Sequence, residues 1–309
     1  MKVRPHTSIK HRTIGYYFKI CRGVMTRGRP LYYVDLYSGD GICECPEAPL
    51  TTWKSPYLIM LKESKDRKLN LRCVFNDNDR EKMNKLRNEL AGYEDFIIGT
   101  YNEDANRIYP DVLNQIPPEE WSIFSLDPYK HSQLNFSTIA GIANHKAHDS
   151  RIGDERKPEL IITFMVYTIL QAYKATKRGT ISERKKENLL SDIDRCLGTD
   201  LWRDEISSWE ASGSSETLMN QIFLKIFLGQ LRNLGYYNIV FRIEQTVHKS
   251  IVYYLIFSTS VLKVYQIISE RFEPYVKRVQ KEEWVKQNFS FYKMAEAKKG
   301  GLTLLDEFT

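Results

Sequence analysis

The chain of 309 residues is 42% hydrophobic and 12% aromatic, which suits one large α/β domain, or a domain with a modest appendage, and excludes a disordered polymer. Its net charge of +6 is uneven: residues 1–30 carry Lys2, Arg4, Lys10, Arg12, Lys19, Arg22, Arg27 and Arg29 and no acid, leaving the remainder close to neutral. No apolar run approaches the roughly 18 residues of a membrane helix, and the basic N-terminus lacks the apolar core of a signal peptide, so neither a span nor secretion is expected.

In chain order, residues 1–30 read as a basic helical segment. From residue 31 the pattern alternates. "LYYVDLY" is a strand, and "SPYLIMLKES" a helix with Ser55 at the N-cap and Pro56 in the first turn. "LNLRCVFND" is a second strand, followed by the helix "DREKMNKLRNELA" with Met83, Leu86 and Leu90 on one face. "DFIIGT" is a third strand, and "ANRIYPDVLNQI" a helix that Pro110 bends or interrupts. "WSIFSLD" is a fourth strand, "LNFSTIAGIANH" a helix and "ELIITFMV" a fifth strand. Five strand–helix alternations predict a doubly wound, mostly parallel α/β sheet.

The rhythm then fails. Residues 167–215 are charged and helical in character, with Trp202 and Trp209, and read as an inserted helical subdomain or lid. The helix "TLMNQIFLKIFLGQLRNLG" ends at Gly235, a suitable C-terminal glycine. "YYNIVFRIEQTV" and "SIVYYLIFSTS" follow, joined only by "HK", a link that permits antiparallel pairing alone. The expected organisation is a main domain of residues 31–166 and 216–275, the insertion at 167–215, and a basic C-terminal tail at 276–309. Cys21, Cys43, Cys45, Cys73 and Cys196 are odd in number and mostly apolar in setting, which suggests reduced thiols and a cytoplasmic protein. Their spacing does not suggest a metal site.

Ligands of doubly wound sheets sit beyond the carboxyl ends of the strands. The first strand delivers Asp35 and then a loop with Gly39 and Gly41, where the backbone passes close to a ligand. The second ends at Asp77, suited to the two hydroxyls of a ribose. The third leads to Asp104 and Asn106, suited to an exocyclic amine, although Asp104 also fits a helix cap. The fourth ends in Asp127-Pro128-Tyr129, the candidate acceptor side. The third glycine of a dinucleotide fingerprint is missing after Gly41, which disfavours NAD and favours S-adenosylmethionine.

In order and wording, "YVDLYSGDG", "KSPYLIM", "VFNDND", "NEDANRIYPDVL", "FSLDPYK" and "VYYLIFSTS" resemble the three-Cys-motif partner proteins, a family similar to class I methyltransferases. The resemblance runs from the first strand to about residue 260. It implies a Rossmann-like methyltransferase fold closed by a C-terminal antiparallel hairpin. It also implies S-adenosyl-L-methionine held by Asp35, Gly39, Gly41, Asp77 and Asp104. Asp127, Pro128 and Tyr129 would then face the methyl acceptor, as in enzymes that methylate base amino groups. The chain departs from the family at Asp40 (usually proline), Lys54 (usually glycine) and Tyr129-Lys130 (usually Phe-Gly); Lys54 is a candidate to offset the charge of Asp40. Nucleic acid is the expected substrate, with phosphate contacts from Arg12, Lys19, Lys177, Arg178, Lys185 and Lys186, and with His6, Tyr16 and Tyr17 as groove or stacking contacts, the other reading of these basic clusters being a solvated surface. The alternative is a non-catalytic, S-adenosylmethionine-binding or structural subunit of a second protein that carries three clustered cysteines.

Overall fold

In the computed structural model, residues 2–25, 29–48, 50–149, 154–212, 216–246 and 250–294 are described. Helix α1 (His6–Met25) opens the chain. Strand β1 (Leu31–Asp35) is followed by a small antiparallel pair, β2 (Ile42–Glu44) and β3 (Thr52–Lys54). Then come α2 (Pro56–Arg67), β4 (Leu71–Asn76), α3 (Arg80–Glu89), β5 (Ile97–Tyr101), α4 (Ala105–Leu113), β6 (Trp121–Leu126) and α5 (Phe136–Ala143). A second short antiparallel pair, β7 (Ala147–Asp149) and β8 (Asp154–Arg156), precedes β9 (Glu159–Phe164). The helices α6 (Val166–Thr176), α7 (Glu183–Leu197), α8 (Trp202–Ser212) and α9 (Glu216–Asn233) lead to β10 (Tyr237–Gln245) and β11 (Ser250–Thr259). The described chain closes with α10 (Leu262–Gln280), α11 (Glu283–Asn288) and β12 (Phe289–Lys293).

Two compact units are distinguished. The first comprises Met1–Asp127, Gly141–Ile162 and Thr259–Tyr275. Its strands run parallel in the order β5-β4-β1-β6-β9, with β1 at the centre. Numbered among themselves these strands read 3-2-1-4-5, so the chain starts in the middle and winds outward both ways, the doubly wound arrangement the alternation predicts. Strands covered on both faces should be apolar throughout, and every residue of β6 and β9 is buried. Asp79 caps α3 by accepting from the N–H groups of Glu81 and Lys82, and the backbone passes through Pro110 without leaving α4.

Helix α1 buries Ile9, Thr13, Ile14, Tyr17, Phe18 and Cys21, whose spacing makes one continuous stripe, and leaves Arg12 and Lys19 exposed. The expectation of Tyr16 and Tyr17 as groove contacts is corrected here. Tyr16 stacks on Tyr275 at 4.4 Å between ring centres and donates its hydroxyl to the Arg271 carbonyl. Tyr17 is 1% exposed. Both rings serve packing, not recognition.

The second unit comprises Pro128–Ala140, Thr163–Ser258 and Val276–Thr309. Its strands lie in the order β12-β10-β11. Four residues separate β10 from β11, too few for a parallel crossover, so the two form the expected hairpin. Strand β12 pairs antiparallel with β10 in register Phe241↔Lys293 to Gln245↔Phe289, with Phe241 stacked on Phe291. Residues 276–294, read from sequence as the start of a basic tail, thus form the end of α10, α11 and β12. The remaining tail, with most of "KMAEAKK", lies outside the described residues. Gly235, at φ +84°, donates to the Arg232 carbonyl while Tyr236 reaches back to Leu231, which closes α9 as expected.

Candidate functional site

In the first unit the carboxyl ends of β1, β4 and β5 are joined by one buried side chain. Asn76, fully buried at the end of β4, donates to the carbonyls of Leu36 and Glu103, each at 3.0 Å, and accepts from the Glu103 N–H at 3.1 Å. Ser38 donates both its N–H and its hydroxyl to the Asn76 carbonyl. Asn102 donates to the Asp77 carbonyl at 2.8 Å. The loops that follow the three strands are therefore held in one layer.

Within that layer Gly39, at φ +66°, presents its N–H to Asp77 Oδ2 at 3.0 Å, and Asp79 presents its own to Oδ1 at 2.9 Å. A carboxylate accepts about four hydrogen bonds, so Asp77 keeps acceptor capacity after these two. Gly41, at φ +85°, sits where a Cβ would lie 3.0 Å from Leu58 Cδ1, so this glycine is required by its backbone angle and by packing on α2.

Asp35 is buried and accepts from the Tyr33 hydroxyl at 2.8 Å and the Tyr37 N–H at 3.1 Å. Burial pushes its carboxyl up to about 7. The two hydrogen bonds pull it down, while the nearby charges of Asp127 and Asp77 add to the rise. The acids predicted at the ends of β1, β4 and β6 thus share one electrostatic environment. Asp104 stands apart from them: it is exposed and caps α4, accepting from the Asn106 N–H at 2.7 Å.

Asp127 is engaged by a residue the sequence reading did not select. Lys10 Nζ lies 2.7 and 2.6 Å from the two Asp127 oxygens, and the lysine is itself buried. The signal was present in the helix period, since Lys10, Thr13 and Tyr17 fall on one face of α1. Lys54 is exposed and makes no ion pair among the described residues, so it does not offset the buried Asp40.

Pro128 and Tyr129 belong to the second unit. Pro128 is buried, whereas the Tyr129 ring is 85% exposed and its N–H is fixed by Gln133 Oε1 at 2.8 Å. His131, considered as a base, is buried. Burial lowers its pKa to about 4, and both its N–H and Nδ1 meet Thr168 Oγ1 at 3.0 Å.

The predicted phosphate contacts divide between the units. In the first, Arg12 and Lys19 are exposed on α1, and Lys19 lies 3.9 Å from Glu63. In the second, Lys177, Arg178 and Lys186 line a cleft of about 480 Å³ between α6, α7 and α8, while Lys185 is exposed on α7. Lys177 pairs with Glu210 at 2.9 Å and Lys186 with Glu183 at 3.6 Å. All five cysteines are buried and free. Among the described residues no three His, Cys, Asp or Glu side chains gather to hold a metal, and no helix is long and apolar enough to cross a membrane.

The 3-2-1-4-5 parallel order of the first unit and the antiparallel hairpin of the second are the elements of a Rossmann-like fold of the class I methyltransferase type. Protein LPL1258 of Legionella pneumophila str. Philadelphia 1, described under the family model DUF519, is similar over 94% of this chain and 96% of its own, with a TM-score of 0.52 and 11% identity. That likeness is one of fold. Weaker similarities are to the DszA carbon methyltransferase (TM-score 0.40, 12% identity, 80% of this chain and 51% of that one) and to the plantazolicin methyltransferase BamL, solved with SAH (0.37, 8%, 82% and 86%). A scan against protein-family models and a search of curated proteins gave no match.

Proposed function

We propose that the chain is an S-adenosylmethionine-dependent methyltransferase of the three-Cys-motif partner type, acting on a base amino group of nucleic acid. The observation that carries this reading is the clasp of Gly39 and Asp77 in the layer locked by Asn76. The donor set fits the cofactor: Asp77 keeps the acceptor capacity that a ribose diol requires, and the buried Asp35 adds a second carboxyl beside it. When bound, S-adenosylmethionine supplies an electrophilic methyl group on a sulfonium. The chain's own task is then alignment and exclusion of water, and orientation alone is worth about 7–11 kcal/mol of a barrier.

On the acceptor side, Asp127 would accept from the base amino group and Tyr129 would stack on the base. Lys10 already donates to both Asp127 oxygens, so an incoming amine must share the carboxylate with it or displace it. This ion pair also favours a second reading, in which the chain binds the cofactor as a non-catalytic partner subunit.

Calorimetric titration with S-adenosylmethionine and S-adenosylhomocysteine, on the wild-type chain and on Asp77→Ala, tests the cofactor site. Labelled-methyl transfer to DNA, RNA and protein then tests the acceptor. Binding that Asp77→Ala removes, with label entering nucleic acid, is expected. Binding without transfer to any acceptor selects the second reading, and no binding by the wild-type chain rejects the cofactor site.

A further inference from the structure

The second unit contains a surface that the cofactor site does not use. The loop after β6 is fastened to the first turn of α6, because the His131 N–H and Nδ1 both meet Thr168 Oγ1. Tyr129 and Tyr167 leave the backbone two and one residues from that shared contact. They are 85% and 45% exposed, although aromatic rings are normally withdrawn from water. From Tyr167 a stripe continues along α6 through exposed Gln171 and half-buried Lys174, at spacings of four and three residues that keep them on one face. The stripe runs toward Arg178, just past the helix end, in the cleft between α6, α7 and α8.

That cleft is lined by Lys177, Arg178, Lys186 and Arg203 against the single acid Glu183. Lys177 and Arg203 are ion-paired to Glu210 and Asp194, whereas Arg178 makes no ion pair among the described residues. Exposed rings at one end of α6 and a cationic cleft at the other offer different chemistry to one ligand. Rings suit the faces of bases, and an unmatched guanidinium suits a phosphate. The eleven residues of α6 span about 16 Å, the length of about five stacked nucleotides at 3.4 Å each.

We propose that the outer face of α6 is the track for a single nucleic-acid strand, with Tyr167 as a second stacking residue beside Tyr129 and Arg178 as a phosphate contact. The proposal rests on the nucleic-acid reading above and assigns it a path and residues. An acidic polypeptide would match the cleft but would leave the two rings without a role.

The test is fluorescence anisotropy of the full chain with fluorescein-labelled single-stranded RNA and DNA 12-mers over a salt series. The proteins compared are wild type, Tyr167→Ala, Tyr167→Phe, Arg178→Gln and Lys85→Gln, a control on α3 of the first unit. Loss of one stacking contact predicts an affinity about 5- to 150-fold lower for Tyr167→Ala, with Tyr167→Phe near wild type. Arg178→Gln should weaken all sequences alike and reduce the slope of log K against log salt by about 0.7. If the wild type binds but Tyr167→Ala and Arg178→Gln match Lys85→Gln, the track is refuted while nucleic-acid methylation stands on its own transfer assay. Displacement by poly-glutamate together with indifference to Tyr167→Ala would assign the cleft to an acidic polypeptide and overturn the proposal. Absence of any strand binding would overturn it as well, whereas the calorimetric test of the cofactor site would be untouched.

Discussion

Glu159, the first residue of β9, is fully buried, and its carboxylate has two protein donors: the Tyr17 hydroxyl at 3.1 Å and the Thr259 hydroxyl at 2.9 Å. Burial pushes its pKa from 4.5 up to about 8, despite those hydrogen bonds and the charge of Arg156, which pull it down. Between those two values the folded chain holds a proton that the unfolded chain has released, so stability falls as pH rises. The destabilisation is absent below about 4.5 and complete above about 8. Each unit within the window costs at most ~1.4 kcal/mol, so Glu159 alone should remove about 2 kcal/mol between pH 6 and pH 8.

Glu159→Gln keeps the size and one acceptor but has no proton to lose, and either hydroxyl can rotate to accept from its amide. The assay is urea unfolding of both proteins at pH 6, 7, 8 and 9, read as the difference in stability at each pH. Groups that titrate in both proteins, Asp35 among them, cancel in that difference. The variant should gain on the wild type by about 2 kcal/mol from pH 6 to pH 8 and little more by pH 9. A difference independent of pH would refute the protonated, buried Glu159.

Asn76→Ala removes three hydrogen bonds at a fully buried position and frees the loops that position Asp77. Urea unfolding should show a loss of about 2–3 kcal/mol, and calorimetry should show weaker S-adenosylmethionine binding. Gly41→Ala must adopt φ +85° and crowd Leu58, so its unfolding midpoint should fall by an amount equivalent to about 1–2 kcal/mol, with no change in m-value. Lys10→Met removes the buried ammonium that contacts both Asp127 oxygens. Because the Asp127 side chain keeps 26% exposure, a loss of about 2 kcal/mol is expected, below the 3–5 of a fully buried pair. In the double variant with Asp127→Asn more than half of that loss should return, and a double-mutant cycle showing no coupling would remove the pair from the argument.

The parallel core was legible because strands buried on both faces are predominantly apolar, as "WSIFSL" and "ELIITF" are apart from Ser122, Ser125, Glu159 and Thr163. Pro56 and Gly235 marked helix ends through local chemistry that the fold does not override. The pair β7–β8 left no such trace. Its strands are short and charged, and besides the 3.7 Å contact with Asp149 inside the pair, Arg156 is held over the ring of the distant Trp121 at 4.3 Å. Strand β12 was hidden for the same reason, since its partner β10 lies some fifty residues earlier. Asp104 shows a different limit: one aspartate at a strand end satisfies both a helix cap and a ligand contact, and the sequence does not separate them.

Lys10 shows how a charge pattern conceals two kinds of cation. From one face of α1, Lys10 reaches Asp127, Thr13 reaches the Tyr275 hydroxyl at 3.2 Å, and Tyr17 reaches Glu159. Glu159 is in register with Ile123, and Asp127 lies four residues further along β6, about 13 Å at the rise of a parallel strand. Lys10 and Tyr17 are seven residues apart on a helix, about 10 Å along its axis. The two lengths agree within the reach of the side chains, so α1 runs down the sheet opposite to the strand direction, from the carboxyl end of β6 to the start of β9. Arg12 and Lys19 face solvent on the same helix. The N-terminal segment is therefore a wall of the candidate site with a charged outer surface. Removing α1 would take Lys10 from Asp127 and Tyr17 from Glu159 together, leaving Glu159 its Thr259 donor, whereas Lys19→Gln should leave the unfolding midpoint almost unchanged.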